Sequence, residues 1–367
     1  MKRKKILFVV EAMGGGVFTF LVGLCNELVK DYEIYVAYGM RRQTPDDFSK
    51  YFDDSVRLIR VRHFERSIDP RHDLGAFLEL RRIAKNIKPD IIHLHSSKAG
   101  ALGRWAFDGR QTPLFYTPHG YSFLMSNYDA VRRCSYKMVE RISAVRHCTT
   151  ISCSEGEHKE TLRMTRNARF VNNGINVEEI RKMMDSLGPC EQGTFNVFTL
   201  GRICYQKNPG LFNEIASKMP DIRFIWVGDG ELRHLLTSPN IEVTGWLSRE
   251  EALRYSMSSN VFMLTSLWEG LPMSLLESMY MEKLCIVNDV IGSMDVIRSG
   301  VNGFVCKNAD EFVSLIRRIR ENPEEFDEVT RKAKEDILTK YNTSIMADKY
   351  REIYEEALQK AEKKRRK

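Results

Sequence analysis

The 367-residue chain contains no run of 18 apolar residues, so nothing in it has the length of a membrane-spanning helix. It has no two cysteines separated by two residues. Its eight cysteines (Cys25, Cys134, Cys148, Cys153, Cys190, Cys204, Cys285 and Cys306) are scattered, which argues against zinc ribbons, thioredoxin-like motifs and a disulfide framework. Cys148 and Cys153 are near enough in sequence for a redox pair, but two buried thiols on a strand and its loop is the plainer reading. No secretion signal is expected: the basic start is followed by an apolar run of only residues 6–10 before Glu11, which suits a first β-strand. A cytoplasmic location is expected, peripheral on the inner membrane face if the chain meets a membrane at all. No helix-turn-helix, RNP or zinc-finger pattern accompanies the basic residues, so nucleic acid is not an expected partner. With 43% hydrophobic and 29% charged residues, disorder and collagen-like repeats are excluded as well.

What is present is an uneven charge. The net +7 conceals basic ends: Lys2, Arg3, Lys4 and Lys5 open the chain, and six basic residues against one acid lie from Lys360 to Lys367. Residues 1–180 hold 29 basic and 21 acidic side chains, whereas residues 181–340 hold 19 and 23. Arg57, Arg60, Arg62, Arg66, Arg71, Arg81 and Arg82 fall within 26 residues. They read either as a solvated loop and helix face or as a docking surface for anionic headgroups or a pyrophosphate-linked lipid.

Short Val/Ile/Leu-rich runs alternate with helical patterns. Strands are expected at 6–10, 33–38, 56–60, 90–94, 114–117, 148–151 and 169–171, then at 195–200, 223–227, 241–243, 261–264, 284–287 and 304–306. Helices are expected at 17–30, 74–87, 99–107, 130–146 and 155–162, then at 209–218, 249–257, 272–281, 309–320, 323–339 and 343–360. Unalternated apolar strands between helices indicate α/β architecture with doubly wound parallel sheets covered on both faces. The length favours two to three domains. The pattern breaks at Asn172-Asn173-Gly174 and in the polar stretch 185–194, then restarts, which gives a domain of 1–174 and a second of 175–342 facing it across a cleft. Ligands of such sheets bind beyond the carboxyl ends of strands.

Candidate chemistry lies in those loops. After the first strand comes Gly14-Gly15-Gly16, which lets backbone amides approach an anion or simply makes a tight turn. It is not a dinucleotide fingerprint, because the third small residue it needs is Thr19. Gly201-Arg202 follows another strand, with Lys207 at the head of a helix; a forked cation, a point cation and a helix N-terminus suit a diphosphate. Val227-Gly228-Asp229-Gly230 is expected to open a further helix, with Asp229 as its cap. In the segment 265–279, Glu269 sits in a loop and Glu277 one to two turns into the next helix, which begins near Pro272. Glu277 is placed to accept ribose hydroxyls, and Glu269 with the amides of Gly270 and Leu271 to meet a sugar or phosphate; a solvated helix face is the alternative. His119, between Pro118 and Gly120, is presented beyond a strand as a hydrogen-bond donor or a proton shuttle near neutral pH. His93 and His95 share one strand face, but no third ligand is in view, so core packing outweighs a metal.

Taken together, Glu269-Gly-Leu-Pro-Met-Ser-Leu-Leu-Glu277 resembles the E-x7-E element of retaining glycosyltransferases of the GT-B fold, family four. The Gly14–Gly16 loop, the His119 loop, Asn173-Gly174-Ile175, Gly201-Arg202 with Lys207-Asn208, Val227-Gly-Asp-Gly230 and Thr244-Gly245-Trp246 occur in the matching order. His95-Ser-Ser-Lys-Ala-Gly100 and Thr117-Pro-His-Gly-Tyr121 further resemble members that build capsular or exopolysaccharide units on a lipid carrier. The resemblance implies two Rossmann-like domains, with the final helix 343–360 crossing back to the first. It implies a nucleotide-sugar donor, a UDP-sugar ahead of a GDP-sugar, and a glycan or polyprenyl-linked acceptor. No cofactor and no metal are implied. Arg202 and Lys207 would neutralise the diphosphate, Glu277 would hold the ribose, Glu269 with the loop amides of Gly270 and Leu271 would orient the sugar, and Leu247 would contact the base. Gly15 and Gly16 would approach the phosphates or the acceptor, and His119 the donor sugar. Leu271-Pro272 departs from the Phe-Gly of many members. A nucleotide-sugar epimerase of the same fold and a non-catalytic basic binding protein are the competing readings.

Overall fold

The computed structural model describes residues 3–11, 13–40, 44, 47–65, 69–125, 127–190 and 193–365. Lys2, Arg66, Glu191, Gln192, Arg366 and Lys367, which entered the readings above, lie outside the described residues. The chain divides into two compact units: Met1–Leu124 with Tyr128–Gly174 and Thr343–Lys367, and Met125–Asn127 with Ile175–Asn342.

The first unit is built on seven parallel strands: β1 (Lys5–Val10), β2 (Glu33–Tyr38), β3 (Arg57–Arg60), β4 (Ile91–His95), β5 (Leu114–Thr117), β6 (Thr149–Ser152) and β7 (Ala168–Phe170). Their order is β3-β2-β1-β4-β5-β6-β7. Residues Ile6 to Val10 are fully buried, as a central strand covered on both faces requires. One face packs on Phe20, Leu21 and Leu24 of helix Gly15–Leu28 and on Met346, Tyr350 and Tyr354 of the last helix. The other packs on Ala76, Leu80, Ala99 and Phe107.

The last helix, Thr343–Arg365, runs five residues beyond the expected 360. Tyr354 Oη lies 2.6 Å from His93 Nδ1, and His93 Nε2 lies 2.9 Å from Thr117 Oγ1. Arg351 donates to Asp31 at 2.8 Å, and Thr343 packs so close to Gly23 that a Cβ there would come within 2.8 Å of its methyl.

The second unit has six parallel strands: β8 (Asn196–Leu200), β9 (Arg223–Val227), β10 (Ile241–Val243), β11 (Val261–Leu264), β12 (Leu284–Asn288) and β13 (Phe304–Cys306). Their order is β10-β9-β8-β11-β12-β13, and Phe212, Phe224, Trp226, Met263, Ile286 and Phe312 fill one core.

Three expectations need correcting. A helix, Val177–Leu187, stands where none was expected; Asn176 caps it by accepting from Glu179 N at 3.1 Å, and Gly188 ends it at φ 67°. Conversely, no α-helix follows Gly230. Only a 3-10 turn, Arg233–Leu235, forms before Thr237, Ser238 and Pro239 intervene, so Asp229 bonds Gly230 N at 2.8 Å instead of capping a helix. The helix expected at 323–339 is a 3-10 turn, Pro323–Phe326, followed by helix Asp327–Lys340.

Helix Ala130–Ala144 is fixed to the first sheet by a buried charge cluster. Arg104 donates to Glu140 at 2.6 Å and to Gly100 O at 2.8 Å, while Tyr116 donates to the other Glu140 oxygen at 2.9 Å. Burial opposes the charge of Arg104, but Glu140 together with Tyr116 and Cys148 more than offsets it, and the Arg104 pKa rises above the ordinary value. Breaking such a pair leaves a buried cation alone. Glu140→Ala is expected to destabilise the protein by about 3–5 kcal/mol in urea unfolding, and Arg104→Met/Glu140→Leu by much less. Equal losses in the two variants would contradict this account.

Candidate functional site

In the second unit the loops after β8 and β11 are stitched together. Glu269 is buried at the carboxyl edge of the sheet, 7% exposed. Its Oε1 accepts from Lys207 Nζ and from Ser266 Oγ, each at 2.7 Å, and its Oε2 from Gln206 Nε2 at 3.3 Å. The backbone is tied in parallel: Leu267 N donates to Gln206 O at 2.8 Å, and Thr265 Oγ1 to Lys207 O at 2.8 Å. Asn208 adopts φ 51°, caps helix Pro209–Ser217 from its side chain, and so turns Lys207 toward the β11 loop.

Arg202 stands on the same β8 loop, half-buried, with Glu231 Oε2 2.9 Å from its guanidinium. Arg202 and Lys207 are thus each paired with a carboxylate. Gly228 at φ 138° lets the β9 loop meet the β8 loop; a Cβ there would fall 2.3 Å from Gly201 O. Gly292 does the same against Gly270 O, at 2.6 Å, and so backs the Glu269 loop.

Helix Met273–Tyr280 begins after Pro272 and buries Leu275 and Leu276. It carries Glu277, whose Oε1 accepts from Arg249 at 3.0 Å. Arg249 opens helix Arg249–Met257 behind a Ser248/Glu251 capping box and also meets Glu179 at 3.3 Å. Sequence reasoning missed Arg249, Gln206 and Ser266. Gln206 directly precedes Lys207 and Ser266 lies three residues before Glu269, whereas the Arg249–Glu277 pair spans 28 residues and leaves no local signal. Leu247 is half-buried, Leu271 is buried, and Trp246 is 60% exposed beside Leu247.

In the first unit, Gly15 and Gly16 are exposed in the first turn of helix Gly15–Leu28, which has no side-chain cap; Gly15 sits at φ 59°. The loop after β5 holds His119 at φ 55° and Gly120 at φ 96°. His119 Nε2 lies 3.0 Å from His95 Nδ1, and the Phe20 ring packs T-shaped against the imidazole. Glu157, buried and not anticipated, fixes this loop by accepting from Gly120 N at 2.6 Å and from Cys153 N at 2.8 Å. Burial raises its pKa despite those bonds. His93 is bonded at both ring nitrogens and is a core histidine. Cys148 and Cys153 are buried free thiols.

Burial lowers His119 to a pKa of about 3 and pushes His93 and His95 well below the usual imidazole value. The same burial disfavours a charged His119, which favours the hydrogen-bond role over the shuttle.

Two family models match: "Glycosyltransferase Family 4" over residues 14–179 and "Glycosyl transferases group 1" over residues 189–336. The chain is a GT-B glycosyltransferase of family 4. A relative from Escherichia coli, "UDP-Gal:alpha-D-GlcNAc-diphosphoundecaprenol alpha-1,3-galactosyltransferase", is 29% identical over 334 residues, 83% of this chain and 85% of its own length. Among solved structures, sucrose-phosphate synthase from Thermosynechococcus elongatus superposes with a TM-score of 0.79 at 16% identity, over 96% of this chain and 99% of that one. HepE from Anabaena in complex with UDP-glucose gives 0.75 at 16% identity, over 96% and 99%. At such identities the structures speak for the fold.

The depressed His119 pKa fixes a sign for stability. The unfolded imidazole binds a proton below pH 6.5 and the folded one only near 3, so this glycosyltransferase loses stability as pH falls through that window, by at most about 1.4 kcal/mol per pH unit from this residue. His119→Asn tolerates the positive φ. It is expected to flatten the slope of unfolding free energy between pH 6.5 and 5; an unchanged slope would show that His119 is not held neutral by the fold.

Proposed function

We propose that this glycosyltransferase moves a sugar from a nucleotide-sugar, a UDP-sugar before a GDP-sugar, onto a glycan carried by polyprenyl diphosphate, with retention of configuration, in surface-polysaccharide synthesis. The observation that carries the reading is the buried Glu269 held by Lys207, Ser266 and Gln206 on the sheet edge that also carries Arg202 and Glu277. The activity of the Escherichia coli relative supports a UDP-sugar donor and a lipid-diphosphate acceptor, and the Anabaena complex supports UDP-glucose as a class of ligand for the fold.

In this reading the donor diphosphate exchanges for a carboxylate. Lys207 and Arg202 now face Glu269 and Glu231; an arriving diphosphate offers a denser anion to the same cations, and the N-terminus of helix Pro209–Ser217 adds its dipole. Charge develops on the leaving phosphate as the anomeric C–O bond breaks, and these fixed groups stabilise it without a resident metal or cofactor. The acceptor hydroxyl oxygen bonds the anomeric carbon from the same face while its proton passes to the departing phosphate oxygen. Glu269 with the backbone of Gly270 and Leu271 orients the sugar, Glu277 binds the ribose, and Leu247 lies against the base. On the first unit, Gly15 and Gly16 offer amides to phosphate or acceptor, and neutral His119 a hydrogen bond to the sugar.

The test is transfer from a panel of UDP- and GDP-sugars, preceded by a search for the donor that raises the melting temperature. Lys207→Ala and Glu269→Ala are expected to lose about 100-fold or more in kcat, and Arg202→Ala about tenfold. Wild-type transfer in all three, or isomerisation of the donor without an acceptor, would overturn the assignment. Arg249→Ala has a different signature. It frees Glu277 without touching the diphosphate cations, so KM for the donor is expected to rise by about tenfold with kcat nearly kept. A loss confined to kcat would remove Arg249 from donor binding.

A further inference from the structure

The two cations of the β8 loop are paired with carboxylates of different kinds. Glu269 is buried, and Lys207 holds it together with Ser266 and Gln206. Glu231 is exposed, and Arg202 is its only side-chain partner among the described residues. Arg202 Nε lies 3.0 Å and a terminal guanidinium nitrogen 2.9 Å from the same oxygen, Glu231 Oε2. The contact is therefore not the paired fork in which a guanidinium engages both oxygens of a carboxylate. One half of the Glu231 carboxylate has no protein partner among the described residues.

The backbone around the pair is fixed. Gly201 N donates to Val227 O at 3.0 Å, Ile203 N to Asp229 O at 2.9 Å, and Leu232 N to Ile203 O at 3.2 Å. Gly230 packs so closely on Ile203 that a Cβ would fall 2.2 Å from its carbonyl oxygen. Asp229 is occupied elsewhere, with Gly230 N at 2.8 Å and Arg233 at 3.3 Å. The chain is thus clamped on each side of Arg202 and of Glu231, and the Glu231 side chain is held by Arg202 alone. An exposed pair of this kind is worth little, because water solvates both groups once they separate. The cation is kept in place, and its partner costs little to remove.

We propose that Glu231 is a displaceable counter-ion of the donor site: it occupies Arg202 between turnovers, yields the guanidinium to the diphosphate, and takes it back as the nucleoside diphosphate leaves. This inference rests on the donor reading above and adds a residue of opposite sign. Glu269 supports the bound donor, whereas Glu231 competes with it. A monovalent anion would exchange one single charge for another and gain little at Arg202. A diphosphate brings more charge and the two-oxygen geometry that Glu231 does not supply. The same competition disfavours the retained product, since a returning carboxylate replaces the departing phosphate and its charge repels phosphate nearby.

Titration calorimetry of the full chain with UDP, GDP and inorganic diphosphate tests it. Glu231→Gln is expected to bind the nucleotide that the wild type binds, and inorganic diphosphate, about three- to tenfold more tightly. In turnover with the donor that the transfer panel identifies, KM and the inhibition constant of the released nucleoside diphosphate are expected to fall together. Arg202→Ala/Glu231→Gln is expected to show no gain over Arg202→Ala, because the contested cation is gone. Glu328→Gln takes the same charge from an exposed pair with Arg331 on helix Asp327–Lys340 and is expected to bind like the wild type. Weaker or unchanged binding by Glu231→Gln, a gain that persists without Arg202, or an equal gain in Glu328→Gln would overturn the proposal while leaving the donor reading intact. A wild type that binds neither UDP nor GDP would overturn the donor reading and this inference with it.

Discussion

The carboxylate of Glu269 is the point on which the second unit's candidate site rests. A buried carboxylate must have its lone pairs satisfied or the fold loses several kcal/mol, on the order of the cost of an unpaired buried ion. Here the donors come from two chain segments about 60 residues apart, Gln206–Lys207 and Ser266. That requirement explains the rest of the local architecture. Asn208 takes a left-handed conformation so that Lys207 reaches the carboxylate, Thr265 and Leu267 tie the two backbones, and Gly292 and Gly228 are glycines because neighbouring backbone occupies the space of a Cβ. A cation held this way has already lost its side-chain freedom, so little ordering remains when an anion competes for it.

The first unit solves a related problem with neutral groups. β4 carries two buried imidazoles on one face: His93 is held by Tyr354 of the last helix and Thr117, and His95 faces His119. The final helix therefore braces the strand whose next inward residue orients the His119 ring. Glu157 fixes the other side of that loop through the Gly120 amide. Burial disfavours a charged imidazole here, so the arrangement favours a hydrogen-bonding group of fixed direction.

The strands were legible because two-faced burial demands unbroken apolar runs, and each of the thirteen lies within a residue or so of its expected span. The loops of chemical interest were legible for a related reason: in a parallel sheet every strand delivers its successor loop to the same edge, so position after a strand is itself information. Partners were not legible. That Lys207 faces Glu269, that Glu277 faces Arg249 and that Glu157 holds the His119 loop are facts of tertiary contact with no local pattern. Helix Val177–Leu187 was hidden because its Asn cap and acidic first turn sit in a stretch whose composition resembles a linker. The helix expected after Gly230 fails for the opposite reason: a glycine-rich strand end resembled a helix entry, but the chain that follows meets Ser238-Pro239 within two turns.

The basic excess of residues 1–180 also changes meaning in three dimensions. Counted along the chain it peaks between Arg57 and Arg82, where acids are interleaved and the charge is largely local. On helix Ala130–Ala144 fewer cations make a stronger face, because one acid is engaged as a cap and the other is buried. The orientation of that helix is not what apolar burial alone would choose. Turning Val131, Met138 and Ile142 inward would gain roughly 1.5–3 kcal/mol for each side chain fully buried. The fold forgoes this and instead buries Glu140 against Arg104 and Tyr116, a cluster whose desolvation consumes much of its own attraction. An orientation that leaves apolar area in water and places a charge inside is hard to explain by the stability of the isolated chain.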